Sequence, residues 1–173
     1  KDAMNAAPGP LYIVFVGHGS VGQFYVYPGN YQESWYVTPE DMDGFLGVLE
    51  AGLLGEAANA DRVFVYGACY SGSFIPELSA PGRVLVSAAS ADEVSYRGAL
   101  EPGGVRDGEP FLTEFFRNLK HGQTFKSSFE RAASNLGELV QVSSSGGEIP
   151  QHPLFDDNGD GLGSEADALS HEL

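Results

Sequence analysis

The chain has 173 residues and a single cysteine, enough to bury the core of one domain but without an internal disulfide framework. Its 24 acidic against 9 basic residues give a formal net charge of -15, a surface that repels nucleic acid and anionic membrane. No apolar run approaches the roughly 18 residues of a membrane span and no leader of the secretory type is present, so the sequence reads as a soluble chain, processed or truncated because it starts at Lys1.

Residues 1–10 are small, polar and punctuated by Pro and Gly, a lead-in arm to a domain over 11–149. Leu11 to Val16 is a continuous apolar run without alternation, which predicts a strand buried on both faces of a largely parallel sheet. It ends in Gly17-His18-Gly19-Ser20. The aromatic stretch from Gln23 to Val37 predicts two short strands around Pro28-Gly29-Asn30, with its rings either packed on the domain edge or forming a substrate-gripping rim. Thr38-Pro39-Glu40-Asp41 starts a helix: Thr38 caps it, Pro39 fits the first turn, and the acidic pair suits the positive end of the dipole. Met42, Phe45, Leu46, Leu49 and Leu53 predict its buried face.

Val63 to Tyr66 is a second strand, and the lone Cys69 follows it where Gly67-Ala68 ends the run. Val84 to Ala89 is a third, followed by a Gly/Pro-rich loop from Arg97 to Pro110, helices over Phe111 to Lys120 and Thr124 to about Leu139, and a Ser/Gly linker at 143–147. Residues 150–173 form an acidic C-terminal segment.

His18 and Cys69 stand fifty-one residues apart, each at the carboxyl end of an apolar strand, joined by one helical crossover. Open α/β sheets place their ligand sites at that edge. A free thiol titrates near 8.5, so an adjacent imidazole that takes its proton makes the nucleophile. Gly19 leaves room for a backbone N–H that, with that of Cys69, faces the oxygen of a tetrahedral intermediate. The alternatives are a buried structural cysteine and a satisfied strand-end histidine.

The strings Val14-Phe15-Val16-Gly17-His18-Gly19-Ser20 with Gly22, and Ala68-Cys69-Tyr70-Ser71-Gly72-Ser73, resemble the His-Gly-Ser-x-Gly and Ala-Cys-x-Ser-Gly-Ser patterns of the legumain family of cysteine peptidases. The stretch from Ala88 to Tyr96 is similar to one wall of that family's specificity pocket. The resemblance implies an α/β, caspase-like three-layer sandwich, with a mostly parallel sheet between helices and no cofactor for catalysis. It implies Cys69 as nucleophile, His18 as general base and acid, Gly19 as oxyanion donor, and Ser95 and Asp107 as substrate-binding residues for a peptide or protein substrate. The chain departs from the pattern at Gly67, where the family has glutamate, and at Val94, where it has a second serine, which leaves the residue preference open between basic and acidic side chains. The family also has a strand and helix before the histidine strand, and only ten residues precede Leu11 here. That implies an N-terminal segment that was removed, is supplied by another chain, or is lost.

Asp156, Asn158, Asp160, Gly161 and Leu162 match the first half of a calcium loop, with Asp167 at the twelfth position in place of glutamate. Pro150 and Pro153 argue against a complete helix-loop-helix hand, and a solvated acidic tail is the other reading. Bacterial members of the family carry similar strings, so the resemblance implies a bacterial, extracytoplasmic protein with a structural calcium ion. Three outcomes stay open for the domain: hydrolysis of peptide bonds, transfer of the same acyl group to an amine, or a non-catalytic binding module.

Overall fold

The computed structural model describes residues 1–27, 35–104, 108–139, 141–142 and 146–164. In chain order the first half comprises α1 (Asp2–Ala6), β1 (Leu11–Val16), β2 (Gly19–Ser20), β3 (Gln23–Tyr27), β4 (Trp35–Val37), α2 (Pro39–Glu50) and α3 (Glu56–Asn59). Then come β5 (Arg62–Gly67), a 3-10 turn (Ser71–Phe74) running into α4 (Ile75–Leu78), β6 (Arg83–Ser87), α5 (Pro110–Lys120) and α6 (Phe125–Gly137). The last elements are β7 (Gln141–Val142), β8 (Glu148–Ile149) and β9 (Leu154–Asp156).

The central sheet has the order β1-β5-β6-β9, with β1, β5 and β6 parallel and β9 antiparallel to β6. The continuous apolar runs of β5 and β6 fit strands buried on both faces. Phe64, Tyr66 and Leu85 face one side, against Met42 and Leu46 of α2 and Phe74, Ile75 and Leu78 around α4. Val63, Val65, Val84 and Val86 face the other, against Phe111, Leu112 and Phe115 of α5 and Phe125 and Phe129 of α6. The result is the expected three layers.

β1 departs from the expectation of burial on both faces. Ile13 and Phe15 pack into the α2-side cluster, whereas Tyr12, Val14 and Val16 are 51%, 44% and 59% exposed. β1 lies at the end of the sheet order, and α5 and α6 cover β5, β6 and β9 without reaching across it. Its run of β-formers is the same kind as that of β5; its position at the edge is what differs. Phe45 also points outward, so Met42 and Leu46 carry the buried face of α2.

Helix starts follow local chemistry. Thr38 and Asp41 form a reciprocal capping box, with Asp41 N–H donating to Thr38 Oγ1 and Thr38 N–H to Asp41 Oδ2, both at 3.1 Å. Thr124 caps α6 by accepting the Ser127 N–H at 3.2 Å. The lead-in arm is partly helical and is tied down by Asn5, which donates to Gly52 O and accepts from Leu54 N, both at 2.9 Å. β9 comes from the acidic segment 150–173, so that segment supplies the fourth strand of the sheet.

At the amino ends of β5 and β6, Arg62 and Arg83 converge on Glu50 at the end of α2, and Arg83 also reaches Asp43 at 2.7 Å. Arg83 is nearly fully buried. Its guanidinium, and after it that of Arg62, holds the Glu50 carboxyl below the usual carboxylate range against the opposing effect of burial. Replacing Glu50 by Gln removes the carboxylate that the two arginines share, leaving Arg83 with Asp43 and Arg62 with backbone carbonyls, and is expected to lower the unfolding free energy by about 2–4 kcal/mol at neutral pH in urea denaturation. The carboxylate stabilises the fold above its unfolded-state pKa and ceases to do so as pH falls through its lower folded value, so wild type and variant should converge only once the pH has dropped below that folded value.

Candidate active site

β1 and β5 pair in parallel with Val16 opposite Gly67, and the Gly17 N–H extends the ladder by donating to Gly67 O at 3.1 Å. His18 and Cys69 are each two residues beyond that last register pair, so both emerge at the carboxyl edge of the sheet. The two loops touch at Gly19. A Cβ at this position would stand 2.5 Å from Cys69 O and 3.1 Å from the Ala68 Cβ, so any side chain here wedges the loops apart. His18 is exposed, and its carbonyl accepts the Tyr25 N–H at 3.0 Å, which ties it to the β2–β3 hairpin. Among the described residues no hydrogen bond joins the His18 ring to Cys69 Sγ; what the fold supplies is their common edge.

Cys69 is partly buried, and its neighbour is Ser95, with Oγ 3.8 Å and the carbonyl oxygen 4.0 Å from Sγ. Ser95, which the family resemblance implies for the specificity pocket, therefore lies beside the thiol. Asp107 lies outside the described residues.

The chain reverses sharply after Cys69. Tyr70 has φ 59°, left-handed for a non-glycine residue, at a cost on the order of 1–3 kcal/mol. Hydrogen bonds on both sides offset it: Tyr70 N–H donates to Glu93 O at 2.7 Å, and Tyr70 O accepts from Ser73 N at 3.0 Å and Ser73 Oγ at 2.6 Å. Ser73 Oγ also accepts the Gly22 N–H at 3.0 Å, so one hydroxyl fastens the histidine hairpin to the cysteine turn. Ser71 Oγ accepts the Ala89 N–H at 3.1 Å, and Gly72, where a Cβ would meet Ala89 O at 2.9 Å, donates its N–H to that oxygen. Ser73 stood in the matched motif without a role, and its bond to Gly22 spans fifty-one positions, so no local pattern marks it.

Gly67 shows why the glutamate of the resembled family does not fit here. A Cβ at 67 would overlap the Leu112 side chain of α5, which fills that space.

In the acidic loop, Asp156 is fully buried; its Oδ1 accepts the Gly159 N–H at 2.9 Å and its Oδ2 the Gly161 N–H at 3.3 Å. Asn158 Oδ1 accepts from Asp160 N at 2.9 Å and Asp160 Oδ1 from Leu162 N at 2.8 Å. These oxygens have the chemistry a hard cation takes. They are turned to the loop's own backbone, and among the described residues no three acidic, histidine or cysteine side chains gather into a metal-holding group. Asp167 lies outside the described residues.

Replacing Ser73 by Ala removes the acceptor for Gly22 N–H and a donor to Tyr70 O. The expected loss is about 1–2 kcal/mol of unfolding free energy in chemical denaturation.

The model of the peptidase C13 family matches residues 5–152, a span that contains His18, Gly19, Cys69 and Ser95. Among solved structures, caspase-1 from Spodoptera frugiperda is similar with a TM-score of 0.60 at 13% identity, over 85% of this chain and 60% of that one. The chain thus spans 60% of the length of that caspase, and the likeness shows the caspase-like fold. No curated protein sequence matches the chain. With the family's model covering most of its length, from the first helix to the residues just before β9, the chain belongs to the peptidase C13 family.

Proposed function

We propose that this domain carries the nucleophile and base of a cysteine endopeptidase that hydrolyses peptide bonds through a thioester on Cys69. The observation that carries this is the in-register parallel pairing of β1 with β5, which delivers His18 and Cys69 to one sheet edge with Gly19 packed against the cysteine. His18 takes the thiol proton, and the sulfur forms a bond to the scissile carbonyl carbon. The N–H groups of Gly19 and Cys69 serve the oxyanion. Collapse breaks the C–N bond, and His18 gives its proton to the departing amine. Water then adds to the thioester, passes a proton to His18 and releases the acid, and the cysteine is restored. Ser95, beside the sulfur, contacts the substrate residue that enters the pocket, with Asp107 as a further member of that pocket.

The open edge of β1 and its exposed Tyr12, Val14 and Val16 support a second element of the reading. A further segment or chain pairs with β1, covers that face and completes the pocket. Digestion of a peptide library by the full-length protein, compared with its Cys69→Ala variant, tests the proposal. Cleavage products that vanish in the variant are expected. Amine-transfer products that vanish with them would assign the same acyl-enzyme to ligation, and a library untouched by either protein would leave a binding module.

A calcium ion enters the proposal as a structural ion only, held by Asp156, Asn158, Asp160 and the Leu162 carbonyl, with Asp167 from the far end of the loop. The spacing of oxygen donors supports it. The thermal midpoint should rise between chelator and millimolar calcium; an unmoved midpoint would remove the ion from the reading.

A further inference from the structure

Two consecutive residues just before β9 hold the segment that lies against the cysteine. Gln151 is buried, and its Oε1 accepts the Tyr96 N–H, while its Nε2 donates to Ala88 O at 2.7 Å and to Glu109 Oε1 at 2.8 Å. The next residue, His152, donates its backbone N–H to Glu93 Oε2 at 2.7 Å and places Nδ1 2.6 Å from Glu93 Oε1. Nearby, the Tyr96 hydroxyl donates to Ile149 O at 2.6 Å. The short wall from Glu93 to Tyr96 is therefore gripped at its first residue by His152 and at its last by Gln151. Between these two grips sits Ser95, against Cys69 Sγ.

The same wall supports the turn after the nucleophile, because the Glu93 carbonyl accepts the Tyr70 N–H. A displacement of Glu93 thus reaches the strained residue next to Cys69 as well as Ser95. Burial alone would raise the Glu93 carboxyl, and the hydrogen bonds from His152 overcome it and hold the group below its usual range. The carboxylate form that His152 grips is thereby favoured.

We propose that Gln151 and His152 are positioning residues for substrate binding, acting through the wall they clamp and not on the reacting atoms. The proposal rests on the reading of Ser95 as a substrate-contacting residue. A clamp of this kind sets how well the peptide is held beside Cys69, so its loss weakens binding more than the chemical step. His152 is exposed and its removal leaves the core intact; Gln151 is the buried half.

The test uses the full-length protein with His152→Ala, Gln151→Ala and the conservative His152→Asn, whose amide reaches the position of the imidazole Nδ1. Hydrogen–deuterium exchange is measured across the chain, together with peptide cleavage. In His152→Ala, exchange at residues 93–96 should accelerate about tenfold with the thermal midpoint kept. KM should rise about tenfold with kcat changed less than about twofold, and His152→Asn should restore both. Unchanged exchange at 93–96 in both alanine variants would overturn the clamp. So would exchange that quickens throughout the chain, or a kcat that falls with KM unchanged. If the wild type shows no Cys69-dependent cleavage, the peptidase reading fails, and the exchange arm alone decides whether these residues hold the wall.

Discussion

The parallel pairing of β1 with β5 is the constraint on which the rest of the site depends. Six residue pairs run in register from Leu11 opposite Arg62 to Val16 opposite Gly67, and the next amide continues the ladder. A slip of one residue would turn Ile13 and Phe15 out of their cluster and carry the histidine loop away from the cysteine turn. Packing prevents it. Phe15 stacks on Phe24 at 4.8 Å between ring centroids and meets Phe64 and Tyr66 edge-on, so the strand's buried face is fixed by rings from two neighbouring strands. Gly19 then sits so close to the Cys69 carbonyl that the two loops have one way to fit together.

Around that fixed point the cysteine turn is over-determined. A left-handed Tyr70 is an unfavourable conformation for a tyrosine, and it persists because bonds from Ser73 and to Glu93 hold both of its peptide groups. Ser73 links it to the histidine side through Gly22; Ser71 and Gly72 link it to the end of β6 through Ala89. The thiol therefore stands on a turn tied to three segments, an arrangement suited to holding a reacting atom in place. The outer side of β1 has the contrary character. β1 ends the sheet order and leaves Tyr12, Val14 and Val16 exposed on one face.

Much of this was legible in the sequence because the signals are local. The runs at β5 and β6, the Thr38 cap with Pro39, and the glycine-flanked His18 and Cys69 each follow from residue chemistry within a few positions. Where the structure departs from the local pattern, the cause is long range. Nothing in Leu11–Val16 says that one face will lack a partner, because that depends on how far α5 and α6 reach. Phe45 kept helical spacing with Met42 and Leu49 yet fell outside the covered arc. Leu154–Asp156 is three residues long and was hidden by the acidic composition that follows it. Gln151 sits between two prolines with no periodic pattern, and its bond to Tyr96 closes a loop of fifty-five residues.

In the proposed reaction the sulfur of Cys69 accepts an acyl group from a peptide. Rapid acid quench of the full-length protein during turnover of a peptide substrate, followed by mass spectrometry of the fragment containing Cys69, tests it most directly. The predicted result is an added mass equal to the acyl half of the peptide, located on Cys69 and released by hydroxylamine as a thioester should be. Product formation without any such adduct, undiminished in the Cys69→Ala protein, would contradict it.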